Sequence, residues 1–117
     1  MPVTSTINEQ IDGAFVLNVE FRFDDLRAYR QKVFDFVDAN GSSRILLGQQ
    51  DGTDNLEFVI VQGGQIYRIV AESALTQGAL QSFQVGIDLD GVMRIVAGDT
   101  IIAEGRGVVP LDVERDL

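Results

Sequence analysis

Cysteine, histidine and tryptophan are all absent from this 117-residue chain, and Lys32 is its one lysine. Without cysteine there are no disulfides and no thiolate metal sites. Without histidine the commonest general base is missing, and with it the Ser-His-Asp and Cys-His arrangements and imidazole zinc sites. No apolar run is long enough to cross a bilayer as a helix, so membrane insertion is not expected. The opening MPVTSTINEQ has no basic segment followed by an apolar one, and no signal peptide is read in it. Positive charge is scarce too. Nine Lys and Arg against eighteen Asp and Glu leave a net charge of −9, which argues against nucleic acid and anionic membrane as partners.

What is present is alternation. Hydrophobic residues make up 45%, enough for one domain with a core, and one domain over residues 1–117 is expected. Residues 14–23 place Phe15, Leu17, Val19, Phe21 and Phe23 on one face and Asn18, Glu20 and Arg22 on the other. Residues 82–105 read as a three-stranded meander. Phe83, Val85, Ile87 and Leu89 share its first buried face, Asp90-Gly91 makes a two-residue turn, and Gly98-Asp99 turns the chain again. Further strands are read at residues 32–38, 44–48, 56–62 and 65–71, with Gly63-Gly64 as the hairpin between the last two. Asp24 is the expected cap of a short helical turn carrying Leu26 and Tyr29, and Leu75 and Leu80 are expected to anchor a longer connection. About eight strands and no long helix predict an all-β fold, an antiparallel jelly-roll-like β-sandwich. Residues 1–12 and 108–117 read as edge or partner-contacting tails.

Three stretches in this order, VLNVEFRFDDL, KVFDFVDANGSSRILLGQ and FQVGIDLDGVMRIVAGDTIIAEG, resemble the concanavalin A-like lectin/glucanase superfamily, in particular its laminin G-like jelly-roll branch. The chain departs from that pattern where Gly78-Ala79-Leu80 stands in place of a tryptophan after a glycine, and it lacks most of the family's first and last strands. The resemblance implies a non-catalytic recognition module that binds glycan in adhesion at a cell, matrix or particle surface. Missing neighbouring strands would expose backbone along an edge. The tails could fill it; otherwise a symmetric copy or another chain segment would complete the domain. The alternative function is therefore a structural, oligomerising sandwich of an adhesin or virion spike with no small ligand.

Two loops are rich in hard oxygen donors and make calcium the candidate cofactor. One supplies Asp38 and Asn40, the other Gln49, Asp51, Asp54 and Asn55. The metal candidates are Asp38, Asp51, Asp54 and Asn55; solvated turn loops are the competing explanation. Tyr67, out of phase with Ile66 and Val70, is expected to face outward beside Arg68, where the two would meet an acidic sugar or a partner, with Asn40 and Gln49 as further ligand candidates. Asp88 and Asp90 have the alternate spacing of a glucanase pair, but Asp90 is better used in its turn, and no catalytic residue is expected.

Overall fold

The computed structural model describes residues 3–6, 14–28, 30–38 and 43–108, the first of these as backbone only. Among them are nine strands and no helix: β1 (Val3–Thr6), β2 (Phe15–Phe21), β3 (Lys32–Val37), β4 (Ser43–Gln49), β5 (Leu56–Gln62), β6 (Gln65–Ala71), β7 (Gln81–Ile87), β8 (Val92–Ala97) and β9 (Thr100–Arg106). They form two antiparallel sheets, ordered β1-β2-β7-β8-β9 and β3-β4-β5-β6. The antiparallel sandwich expected from the alternation is therefore the observed fold. Successive strands are neighbours within each sheet, so the chain crosses between sheets after β2 and again after β6, and β7 returns to pair with β2.

The alternation explains the layers. Leu17, Val19 and Phe21 of β2 and Phe83, Val85 and Ile87 of β7 are buried from one sheet, and Ile45, Leu47, Leu56, Phe58 and Ile60 from the other; all belong to one core cluster. Phe15 meets Phe58 edge-to-face across the layers, ring centroids 6.2 Å apart at 86°. On one side the sheets close on each other at β6 and β9. A Cβ on Gly105 would lie 2.6 Å from Cγ2 of Ile69, so only glycine admits this approach.

Several local expectations are corrected. The loop between β7 and β8 has four residues, 88–91, and of Asp90 and Gly91 only the glycine has positive φ, at 82°. Asp88 organises it: Oδ1 accepts from the Asp90 and Val92 amides at 2.9 and 3.1 Å. The strand thus ends at Ile87, and Leu89 is 83% exposed rather than buried. No helical turn forms at residues 24–28. There Asp25, not Asp24, holds the bend by accepting from the Arg27 amide at 2.9 Å, and Tyr29 lies outside the described residues. Leu75 is buried as expected, but Leu80 is 66% exposed. Gly63-Gly64 does make the two-residue turn, with φ of 58° and 81°, and it sets the register Gln62 to Gln65. Val3–Thr6 forms the edge strand beside β2. Residues 109–117 of the second tail lie outside the described residues.

Candidate binding groove on the four-stranded sheet

Side chains that point away from the core on β3 to β6 fall into cross-strand rows. Lys32, Gly48, Glu57 and Val70 are in register, as are Asp35, Leu46, Val59 and Arg68, and then Val37, Arg44, Val61 and Ile66. Gly48 leaves the first row without a side chain between Lys32 and Glu57. A Cβ there would lie 2.7 Å from the Gln31 carbonyl oxygen, because a bulge at Lys32–Phe34 brings β3 close. The result is an open groove of about 400 Å³. Leu46, Val59 and Val61 form its apolar floor, and Arg30, Lys32, Arg44, Arg68, Asp51 and Glu57 supply its charge.

Ion pairs hold these cations across the strands. Arg68 Nε lies 3.1 Å from Glu57 Oε2, and Arg44 donates from Nε and Nη2 to both oxygens of Asp35 at 2.6 Å each. Both are diagonal cross-strand pairs, the geometry that long side chains on an antiparallel sheet reach. Lys32 Nζ also reaches Asp35 Oδ2 at 3.0 Å, and Arg30 Nε lies 3.4 Å from Asp51 Oδ1. The four cations remain 39–68% exposed. The Arg44 guanidinium, bonded to Asp35, holds that carboxyl below the usual aspartate value against the opposing effect of burial. Glu57 behaves oppositely. Burial pushes its carboxyl above the usual 4.5, outweighing the neighbouring Arg68 charge. Asp25, Asp35 and Asp88, by contrast, are held below the usual aspartate value by hydrogen bonds to arginine side chains.

The groove collects part of the expected site. Arg68, Asp51 and Gln49 line it. Gln49, however, is 2% exposed and structural: Nε2 donates to the carbonyls of Leu26 and Thr53 at 2.5 and 2.8 Å, and Oε1 accepts from Gln31 Nε2 at 3.2 Å. Tyr67 does not face outward beside Arg68. It is in register with buried Ile60 and packs, half-buried, against the core. Asp38 sits past β3, where Oδ1 accepts from the Ser43 amide at 3.1 Å, at the opposite end of β4 from Asp51 and roughly 20 Å away along the strand. Asn40 lies outside the described residues.

Two of the other calcium candidates are engaged in bonds of their own, while Asp54 takes part through its backbone, its carbonyl accepting from the Leu75 amide at 2.9 Å. Asn55 Oδ1 accepts from the Ser73 amide at 2.9 Å, and Asp51 pairs with Arg30. Among the described residues no cluster of three acidic side chains forms. Asp38 is too far from Asp51 to share one ion, which leaves Asp51, Asp54 and Asn55 of the second loop as the calcium candidates.

Comparison of the chain with protein-family models, curated proteins and solved structures found no match. Sequence reasoning missed Arg30, Lys32, Arg44 and Glu57. A signal existed for Glu57: folding residues 56–71 about Gly63-Gly64 already puts it diagonal to Arg68.

A second, shallower groove of about 800 Å³ crosses the outer face of the five-stranded sheet over Val16, Gly86, Leu89 and Val96. Arg94 spans it, 2.8 Å from Asp88 and 2.7 Å from Glu104. It gathers none of the expected site residues, and Arg94 is its one cationic lining residue.

Proposed function

We propose that this domain is a non-catalytic recognition module and that carbohydrate is its ligand, bound in the groove of the four-stranded sheet. One observation carries the reading: an apolar floor of Leu46, Val59 and Val61 is ringed by cationic donors and by the acceptors Glu57 and Asp51. A pyranose presents the complementary surface, a C–H face bordered by hydroxyls that both donate and accept. The absence of histidine supports a binding role, as does the engagement of Glu57 by Arg68. A glycan ligand accords with a place at a cell, matrix or particle surface. The test is a glycan array probed with the native chain and with Arg68→Gln. The native chain is expected to bind at least one glycan, and the variant to bind it at least about tenfold more weakly, the loss of a charged hydrogen bond. A full array without binding would sink the reading.

The second reading is an oligomerising scaffold. Ile66 on edge strand β6 and Ile101 on edge strand β9 are 63% and 52% exposed, and these edges adjoin. Light scattering decides it: a dimer or trimer split by Ile66→Lys would favour the scaffold, and a monomer would remove it.

A further inference from the structure

We propose that the groove selects acidic oligosaccharides, glycans bearing one or two sulfate or carboxylate groups, over their neutral counterparts. This rests on the carbohydrate reading above and narrows it. Charge distribution is the first support. Four of the nine basic residues of the chain, Arg30, Lys32, Arg44 and Arg68, line this one cavity. With their acidic partners Asp35, Asp51 and Glu57 they leave one net positive charge on the groove and ten net negative charges on the rest of the chain. A densely charged polyanion would be repelled by the whole, whereas a sparsely charged glycan is drawn to this locally positive groove.

Geometry is the second support. Arg44 on β4 and Arg68 on β6 lie two strand spacings apart, roughly 10 Å, a span that a disaccharide covers. Each guanidinium has five N–H donors in a rigid fork, and the bonds to Asp35 and Glu57 hold these forks before any ligand arrives. Sulfate and carboxylate both match that fork.

Glu57 gives the site a measurable signature. It is faced by Arg68 from β6, by Gly48 from β4, which carries no charge, and by Asp51 and Arg30 from the adjoining loops. An anion bound beside it stabilises its protonated form. Binding therefore takes up a proton and tightens as pH falls through the range, above 4.5, in which this partly buried carboxyl titrates.

The experiment pairs short oligosaccharides that differ only by one sulfate or one carboxylate, with their neutral parents and a short polyglutamate as controls. Titration calorimetry follows binding to the native chain, Arg68→Gln, Arg30→Gln and Glu57→Gln, each checked for a native circular dichroism spectrum. The acidic sugars are expected to bind at least about tenfold more tightly than their parents. Each arginine variant should lose about tenfold. Glu57→Gln should gain severalfold and lose the pH dependence seen with the sulfated sugar, whose own charge does not titrate. The sulfate and carboxylate arms tell which anion is preferred. Equal binding of acidic and neutral sugars overturns the selectivity and leaves the carbohydrate reading intact. Polyglutamate binding as tightly as the acidic sugars overturns the saccharide class, and binding unaffected by all three substitutions overturns the assignment to this groove. No glycan binding of either kind overturns both readings.

Discussion

Replacing Gln49 by leucine is expected to lower the stability of the domain by roughly 2–4 kcal/mol and to weaken ligand binding in the groove as well. Gln49 lies among core residues on the inward face of β4, in register with buried Leu56. Its amide joins two loops. Nε2 donates to the carbonyl of Leu26, in the segment after β2, and to that of Thr53, in the loop after β4; Oε1 accepts from Gln31. Leucine matches its size and offers none of these bonds, so the partner groups lose their hydrogen bonds without gaining water in compensation. These loops carry Arg30 and Asp51, one charged end of the groove. Loosening them spreads Arg30 over many positions and raises the ordering cost of binding. Urea unfolding measures the first effect and calorimetry the second. A shift below about 0.5 kcal/mol would mean that solvent replaces the amide, and Gln49 would lose its structural role.

A larger loss is expected at the centre of the sandwich. Phe58→Ala should cost about 3–5 kcal/mol, a large part of the 5–15 kcal/mol that holds a typical domain together. Phe58 is fully buried in β5 between Leu47 and Ile69 in register, and its ring meets Phe15 of the other sheet edge-to-face. Truncation removes the transfer free energy of the ring and leaves a cavity that two hydrogen-bonded sheets cannot collapse to fill. Ile66→Ala, on the exposed outer face of the neighbouring strand, is the control and should stay within about 0.5 kcal/mol. Chemical unfolding with an unchanged denaturant slope distinguishes them, and a Phe58→Ala loss below about 1 kcal/mol would contradict the central place given to this ring.

The acidic groups divide by environment. Asp35, bonded to Arg44, is held below its usual range, so its contribution to stability is present above the ordinary aspartate value of 3.8 and fades as pH falls below it. Glu57 has its folded value raised, so the stability its protonated form adds is complete below 4.5 and is lost as pH rises through that raised value. The same burial that makes Glu57 mildly destabilising at neutral pH makes it responsive to an arriving anion.

Alternation alone was enough to read eight of the nine strands and the two-layer core, because a strand with one buried face writes that face into every second residue. The Gly63-Gly64 turn was legible for the same local reason, and with it the Glu57–Arg68 diagonal. The end of β7 was not legible. Leu89 continues the pattern, but Asp88 captures the amides of Asp90 and Val92 and turns the chain first. Tyr67 was misread because phase was counted from Ile66 and Val70, which are themselves on the outer face; pairing with Ile60 turns the ring to the core. The groove lay beyond any local pattern. Lys32, Arg44, Glu57 and Arg68 belong to four different strands, and Arg30 to a loop, so their meeting depends on the β3 bulge and on the register of three hairpins. Sequence by itself determined which face of each strand is buried, since that is a property of neighbouring residues. Only the tertiary structure decided which outward residues share a site, since a one-residue slip between strands would have carried every one of those charges to the other face.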